Sequence, residues 1–375
     1  MLEKIDLKNL DKSNWQTFNF EEIAQKISKT VKPEEANVDI YVGLEHLDGE
    51  DIHIRRKGVP ADVKGGKLRC YPGDIIFGKR RAYQRKAAIV DFDGICSAHA
   101  FVFRANPEVI DPKLFPFFLH SDQFMHRMVD ISVGGLSPTI NWGDLKHQEF
   151  LLPPKDQQAQ LAELLWAMDE VIEGENEVLC KNEDLFLSYS KSIFSEGDGK
   201  EIELKNIGVL TMGQSPSGST YNENGDGMSF LQGNAEFGEK HPTHIKYTTA
   251  PNKIVQEKTI LISVRAPVGD LNISDREYCI GRGLAGLYIE NDILRDYVYN
   301  FLKYARFELE KNSTGSTFKA INKDILSSLK FMIPNDTVLK DNSKKLNSIL
   351  NATELVSNKI SSSKSLQKSL INQVF

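Results

Sequence analysis

Apolar residues along this 375-residue chain follow two rhythms in turn. Over 14–153, and again over 200–334, they fall in short runs punctuated by Gly, Pro, Asn and Asp. The runs 39–42, 74–77, 88–90 and 101–103, then 230–231, 259–263 and 287–289, predict short β-strands. Stretches 112–129 and 294–311 predict helices, so each part reads as an α+β globule. The rhythm then changes to alternating steps of three and four. The first stripe runs Leu161, Leu165, Met168, Ile172, Glu175, Leu179, Asn182, Phe186, Tyr189 and Ile193; eight of the ten are apolar. The second runs Asn342, Leu346, Ile349, Thr353, Val356, Ile360, Ser363, Gln367, Leu370 and Val374; six are apolar. Such spacing is the seam of a coiled coil. Pro153-Pro154 and Pro334-Asn335-Asp336 stand where helix starts belong.

The two stripes differ by a constant 181 positions, and the same offset links Ile140-Asn141 to Ile321-Asn322, Leu145 to Leu326, Phe150 to Phe331 and Pro153 to Pro334. A gapless stretch of 55 residues is therefore repeated. Upstream, Gly73-Asp-Ile-Ile-Phe-Gly-Lys-Arg80 resembles Lys258-Thr-Ile-Leu-Ile-Ser-Val-Arg265 at an offset of 185. The chain is two copies of one plan. It divides into a globule (1–153), a helix (154–196), a second globule (197–334) and a second helix (335–375). A duplicated unit pairs most naturally about a pseudo-two-fold axis. That predicts an antiparallel coiled coil of two helices, each about 60 Å long at ~1.5 Å per residue, with one globule at each end. The bland alternative is two independent amphipathic helices, each packed on its own domain.

Charge sharpens this picture. The net charge is −6, which on its own argues mildly against nucleic acid. Between His53 and Lys86, however, eleven Lys/Arg face two acids, a net of +9. From Lys155 to Glu203 the net is −9, and from Asn335 to Phe375 it is +3. Opposite signs on the helices favour their pairing; exposed ion pairs contribute under about 1 kcal/mol each, so they select the partner while the buried seam supplies cohesion. The four cysteines are dispersed without a C-x-x-C pair, which excludes a disulfide framework and a cysteine zinc site. With no secretory h-region and no apolar run near the roughly 20 residues that span a bilayer, the chain reads as soluble and cytoplasmic.

Catalytic motifs are missing. Gly281-Arg-Gly-Leu-Ala-Gly286 matches G-x-G-x-x-G, but a strand-like Leu-Tyr-Ile follows instead of a helix, so it reads as a turn between strands. There is no P-loop, no nucleophile elbow around Ser97-Ala-His99, and no N-P-P-Y-like tetrapeptide. His241-Pro-Thr-His244 has no third metal ligand at a convincing spacing and reads as a polar loop. We expect no metal and no cofactor in this chain.

The basic zone is the candidate binding surface. Lys79-Arg80-Arg81-Ala-Tyr83-Gln84-Arg85-Lys86 follows a strand and interleaves cations with an aromatic ring and an amide. Phosphate contact needs Lys and Arg, and base reading needs planar forks and amides. Arg55, Arg56 and Lys57 belong to the same zone. In the second copy, Lys253, Arg265 and Arg282 are candidates. The loops carrying Ser137 and Thr139, and Thr317 and Lys319, occupy equivalent places before each Ile-Asn. The bland reading of all these is a solvated charged loop.

Taken together, Gly134-Gly-Leu-Ser-Pro-Thr-Ile-Asn141, Phe150-Leu-Leu-Pro-Pro154 with Gln157-Gln158, Pro72-Gly-Asp-Ile-Ile-Phe77 and Thr211-Met-Gly-Gln-Ser-Pro-Ser217 resemble the DNA-specificity (S) subunit of type I restriction–modification systems. The resemblance covers nearly the whole chain from about Asn14. Gln157 stands where the family usually has Glu, and the second copy keeps only Pro334 of the double proline. The resemblance implies two target recognition domains, each reading half of a split, asymmetric sequence in double-stranded DNA. It implies a spacer that docks two methyltransferase subunits, and a restriction subunit that then joins. S-adenosylmethionine, ATP and Mg would reside in those partners, and this subunit would be non-catalytic. A nuclease with an unfamiliar site and a coiled-coil scaffold that never touches DNA are the rivals.

Overall fold

The computed structural model describes residues 11–243, 245–311 and 320–375, with backbone alone at 307–311. Two long helices stand out, Lys155–Phe194 and Asp336–Val374. The chain forms two compact units, and each takes part of both helices. The first comprises Met1–Asn176 with Asn358–Phe375; the second comprises Glu177–Ser357.

In the first unit, strands Ala24–Ile27, Ala100–Ala105, Ile75–Gly78 and Ala87–Ile89 form an antiparallel sheet in that spatial order. A second sheet orders Thr30–Val31, Lys67–Cys70, Gly94–Cys96 and Tyr41–Val42, its last pair parallel. Gln16–Asn19 pairs with Glu149–Leu152 and leads the chain into the first long helix. The second unit repeats this plan. Val209–Met212, Leu284–Tyr288, Ile260–Ser263 and Leu271–Ile273 make the antiparallel sheet, and Lys200–Glu203 pairs with Lys330–Ile333. Its other sheet again holds one parallel pair, Phe230-Leu231 beside Cys279-Ile280. The predicted turn at Gly281–Gly283 does precede a strand.

Two expectations need revision in detail. The helix predicted over 112–129 is broken into Phe115–His120 and Asp122–Asp130. Ser121 is extended (ψ 149°) and its hydroxyl accepts the Phe124 N–H at 3.2 Å, so an N-cap interrupts the run. The charge argument for helix pairing is the other point of detail, since part of the acidic charge is met elsewhere. Lys359 reaches Glu175 at 3.2 Å across the helices, but two other acids of the first helix, Asp169 and Glu173, are also met by the loop at 48–57. There Arg55 binds Glu173 at 2.5 Å and His53 lies 2.7 Å from Asp169.

The 3-4 stripe forms the buried seam: none of its twenty positions is exposed. Within the first unit the helix portions run antiparallel, with Asp169 beside Gln367 and Glu175 beside Lys359. Leu161, Leu165, Ile371 and Val374 share one cluster with Ile52, Leu114 and Phe117, so the helices pack on the globule as well as on each other. In the second unit the Tyr189 hydroxyl donates to Asn342 at 2.8 Å, and Phe186, Phe194, Leu339 and Leu346 enter the core around Tyr297 and Phe301. The first helix starts where it does because Gln158 is buried and fully used. Its Oε1 accepts from Asp111 N–H at 2.6 Å, and its Nε2 donates to the Val109 and Pro153 carbonyls. Among the described residues no helix is long and apolar enough to cross a membrane.

Leu165→Ala should destabilise the first unit by about 2–5 kcal/mol, the cost of a cavity at a fully buried leucine. Val171→Ala, at an exposed position on the same helix, should change stability by less than about 0.5 kcal/mol. Urea titration of the two variants checks this contrast. The hydrogen bond to Asp169 raises the His53 pKa above its ordinary 6.5. The stabilisation is therefore complete below pH 6.5 and lost as pH climbs through the raised value. Thermal melts across that window should show the decline, and Asp169→Asn should flatten it.

Candidate nucleic-acid interface

Lys79–Lys86 is the connection between two antiparallel strands, Ile75–Gly78 and Ala87–Ile89. Gly78 N–H donates to the Lys86 carbonyl at 2.9 Å and closes its base. At its tip Ala82–Gln84 form one 3-10 turn, with Ala82 buried beneath and Tyr83 and Gln84 exposed. The turn is flanked by Arg81 (φ 55°) and Arg85 (φ 52°), both left-handed. Non-glycine residues adopt that conformation only where the surroundings hold them, and such strain concentrates at functional sites.

Beside it lies the 133–139 hairpin. Val133 and Thr139 exchange backbone bonds, Arg80 bridges Thr139, the Arg81 N–H donates to the Pro138 carbonyl at 2.7 Å, and the Ile140 N–H donates to the Lys79 carbonyl at 2.9 Å. The hairpin thereby carries Leu136, 98% exposed, to the side of the basic turn. Ser137 and Thr139 are half-buried, and the Thr139 hydroxyl donates to the Ser137 carbonyl. Lys79 sits over the Phe101 ring at 5.3 Å, and Lys26 lies over both Phe101 and Trp142. Desolvation, then the charges of Lys26 and Arg80, push the Lys79 pKa down. Burial followed by Arg80, Lys79 and Lys67 lowers that of His99. This face thus concentrates positive potential despite the acidic whole.

Five other cations of the zone have partners inside the unit. Arg55 is bound by Asp51 and Glu173, and Arg56 by Asp48. Lys57 pairs with Asp91 at 2.9 Å and covers Phe92. Lys86 donates to the Leu44 carbonyl at 2.6 Å. Arg85 lies 2.7 Å from Asp122 and 3.1 Å from Glu50, and donates to the His120 carbonyl at 2.7 Å. The structure brings the half-buried Lys79 and Arg80 together with the exposed Arg81, Tyr83 and Gln84; Arg85 and Lys86 are half-buried and anchored beneath the turn, while Arg55, Arg56 and Lys57 are exposed and ion-paired. Lys26, His99, Leu136 and Trp142 were not singled out by sequence. Leu136 between a Gly pair and a Ser was a visible signal, but periodicity cannot place a lone apolar residue.

The second unit repeats the arrangement. Arg265 bridges Ala320 and the Ile321 N–H donates to the Val264 carbonyl at 3.0 Å, as Arg80, Thr139, Ile140 and Lys79 do in the first. Val264 N–H also bonds the Gly283 carbonyl, which brings the exposed Arg265 near the exposed Arg282. The Arg282 N–H reaches the Ser215 hydroxyl at 3.3 Å, and the Lys253 carbonyl accepts from Ile280 at 2.8 Å. Thr317, Lys319 and His244 lie outside the described residues. No group of three or more His, Cys, Asp or Glu able to hold a metal occurs among the described residues.

A sequence model of the type I restriction modification DNA specificity domain matches this chain twice, over residues 12–181 and 196–362. The chain is 31% identical over 341 residues to a protein named as the MjaX type I restriction enzyme specificity subunit of Methanocaldococcus jannaschii, covering 83% of this chain and 80% of that one. It is 27% identical over 190 residues to the EcoDI specificity subunit of Escherichia coli, covering 48% of this chain and 42% of that one. Among solved structures, it aligns with a chain from work on complex assembly and conformational transition of the type I R-M system. That alignment has a TM-score of 0.63 at 27% identity, over 96% of this chain and 97% of that one. The S subunit of a type I system from M. genitalium shares the fold, with a TM-score of 0.58 at 17% identity over 98% of each chain.

Proposed function

We propose, from the premise that this chain belongs to the type I restriction–modification DNA specificity family, a division of labour among its parts. The family role is DNA recognition without catalysis, within an assembly of restriction–modification subunits. In our reading each globule recognises one half of a bipartite, asymmetric target in double-stranded DNA. The two helices, of 40 and 39 residues, fix the permitted gap between the halves. They also dock two methyltransferase subunits, which bring S-adenosylmethionine, and a restriction subunit using ATP and Mg completes the cytoplasmic complex.

The observation that carries this reading is the recurrence of one device. In each unit an exposed or half-exposed arginine two residues past a strand end bridges, through its backbone, the residue before an Ile-Asn pair. In the first unit, Arg80 and Arg81 with Lys79 supply phosphate contacts, and Tyr83 and Gln84 face the bases. Ser137 and Thr139 belong to the hairpin that braces them. In the second, Lys253, Arg265 and Arg282 serve the backbone, with Thr317 and Lys319 on the neighbouring loop. Arg85 and Lys86 hold the turn in place from beneath, and the exposed Arg55, Arg56 and Lys57 of the same basic zone are further candidates for contact with the DNA backbone.

Mapping methylated adenines across the source genome will return both half-sites and their gap. With that target in hand, Arg81→Ala should weaken binding at all sequences and reduce the salt slope by about one. Gln84→Ala should relax specificity at one position, by about 1–3 kcal/mol. Titrations at several salt concentrations separate the two effects, and absence of either returns the turn to a solvated loop. Removing one heptad from both helices should shift the preferred gap or abolish binding; an unchanged gap in footprinting would refute the spacer role.

A further inference from the structure

The 3-10 turn bearing Tyr83 and Gln84 has a second attachment, from a distant part of the sequence. The Arg85 guanidinium is enclosed by three groups: Nη1 lies 2.7 Å from Asp122, Nη2 donates to the His120 carbonyl, and Nε lies 3.1 Å from Glu50 without forming a hydrogen bond. Both of those acids are also held by the last turns of the second long helix. The Asn372 side chain makes two hydrogen bonds to Asp122: Oδ1 accepts from the backbone N–H at 2.7 Å, and Nδ2 donates to Oδ2 at 2.7 Å. Lys368 Nζ binds Glu50 Oε1 at 2.5 Å. The Glu50 N–H in turn donates to the Arg85 carbonyl at 3.0 Å. Gly49 completes the contact. A Cβ there would lie 2.5 Å from the Gln84 carbonyl oxygen, so only glycine lets the 49–50 backbone approach the turn this closely.

We infer that Asn372 and Lys368 are positioning residues for base reading: through Asp122, Glu50 and Arg85 they fix where Tyr83 and Gln84 are presented. The helix that arises in the second copy thereby sets the specificity of the reader in the first. This rests on the reading of the 82–84 turn as a DNA-contacting element. The physical argument is the geometry of the supports. A left-handed arginine between two carboxylates has no slack of its own, and each carboxylate is fixed by a side chain of that one helix. A two-point amide contact such as that of Asn372 defines orientation as well as distance. Small displacements at the helix are therefore passed to the turn rather than absorbed.

The test uses the full chain and duplexes carrying its mapped target, with every single-base substitution in either half. Gln84→Ala identifies the half that this turn reads. Asn372→Ala and Lys368→Met should each reduce discrimination at that same half by about three- to tenfold. Discrimination at the other half should stay unchanged, and Lys368→Arg should restore the first. If Gln84→Ala alters neither half, the turn is not a reader and the reading beneath this inference fails. If Gln84→Ala relaxes one half while Asn372→Ala and Lys368→Met leave it intact, the positioning role is overturned. Equal loss at both halves, tracking a lowered melting temperature, also overturns it. Arg85→Lys gives a milder perturbation of the same link and should relax the same half.

Discussion

The structure depends on the burial of one apolar stripe shared between two helices that are far apart in sequence. A helix of 40 residues carrying leucine, isoleucine and phenylalanine on one face is not stable in water with that face bare. Here the stripe is covered partly by the other helix and partly by the globule. Leu161 and Leu165 meet Ile371 and Val374 within a cluster that also contains Leu114 and Phe117. The compact units consequently do not coincide with the sequence repeats. Each repeat lends part of its helix to the unit built around the other repeat's globule.

Much of this was legible in the sequence. The spacing of Leu161 through Ile193, repeated 181 positions later, marked both helices and their buried face, because a 3-4 rhythm has few other physical explanations. The short strands were legible for a similar reason. Strands of three to six residues bounded by glycine and proline leave a clear trace, and those at Ile75–Gly78 and Ile260–Ser263 lie within a residue of the predicted runs. The break at Ser121 was missed because an apolar run conceals a cap that only its hydroxyl contact reveals.

The basic zone was legible as composition and illegible as surface. Counting eleven cations against two acids described the segment correctly, yet it could not show which cations find partners elsewhere in the chain. Arg55 meets Glu173 and Arg85 meets Asp122, pairs separated by more than thirty positions. Among the described residues Lys79, Arg80 and Arg81 have no such carboxylate, so these cations differ from the others in partners rather than in residue type. A reader must expose charge to phosphate while holding its base-facing side chains rigidly, since a mobile arginine gains affinity without discrimination.

The shared ownership of the helices also bears on how the protein is made. The first unit is finished by Ile371, Val374 and Phe375, the last of these stacking edge-on against Phe118 at 5.3 Å. A ribosome working at about 5–20 residues per second needs on the order of 10–40 s to travel from Asn176 to Asn358. Throughout that interval the emerging N-terminal globule displays Phe117, Leu161 and Leu165 without their cover. The nascent chain therefore passes through an obligatory half-built stage, and its exposure to chaperones and to premature association is written into the order of its elements.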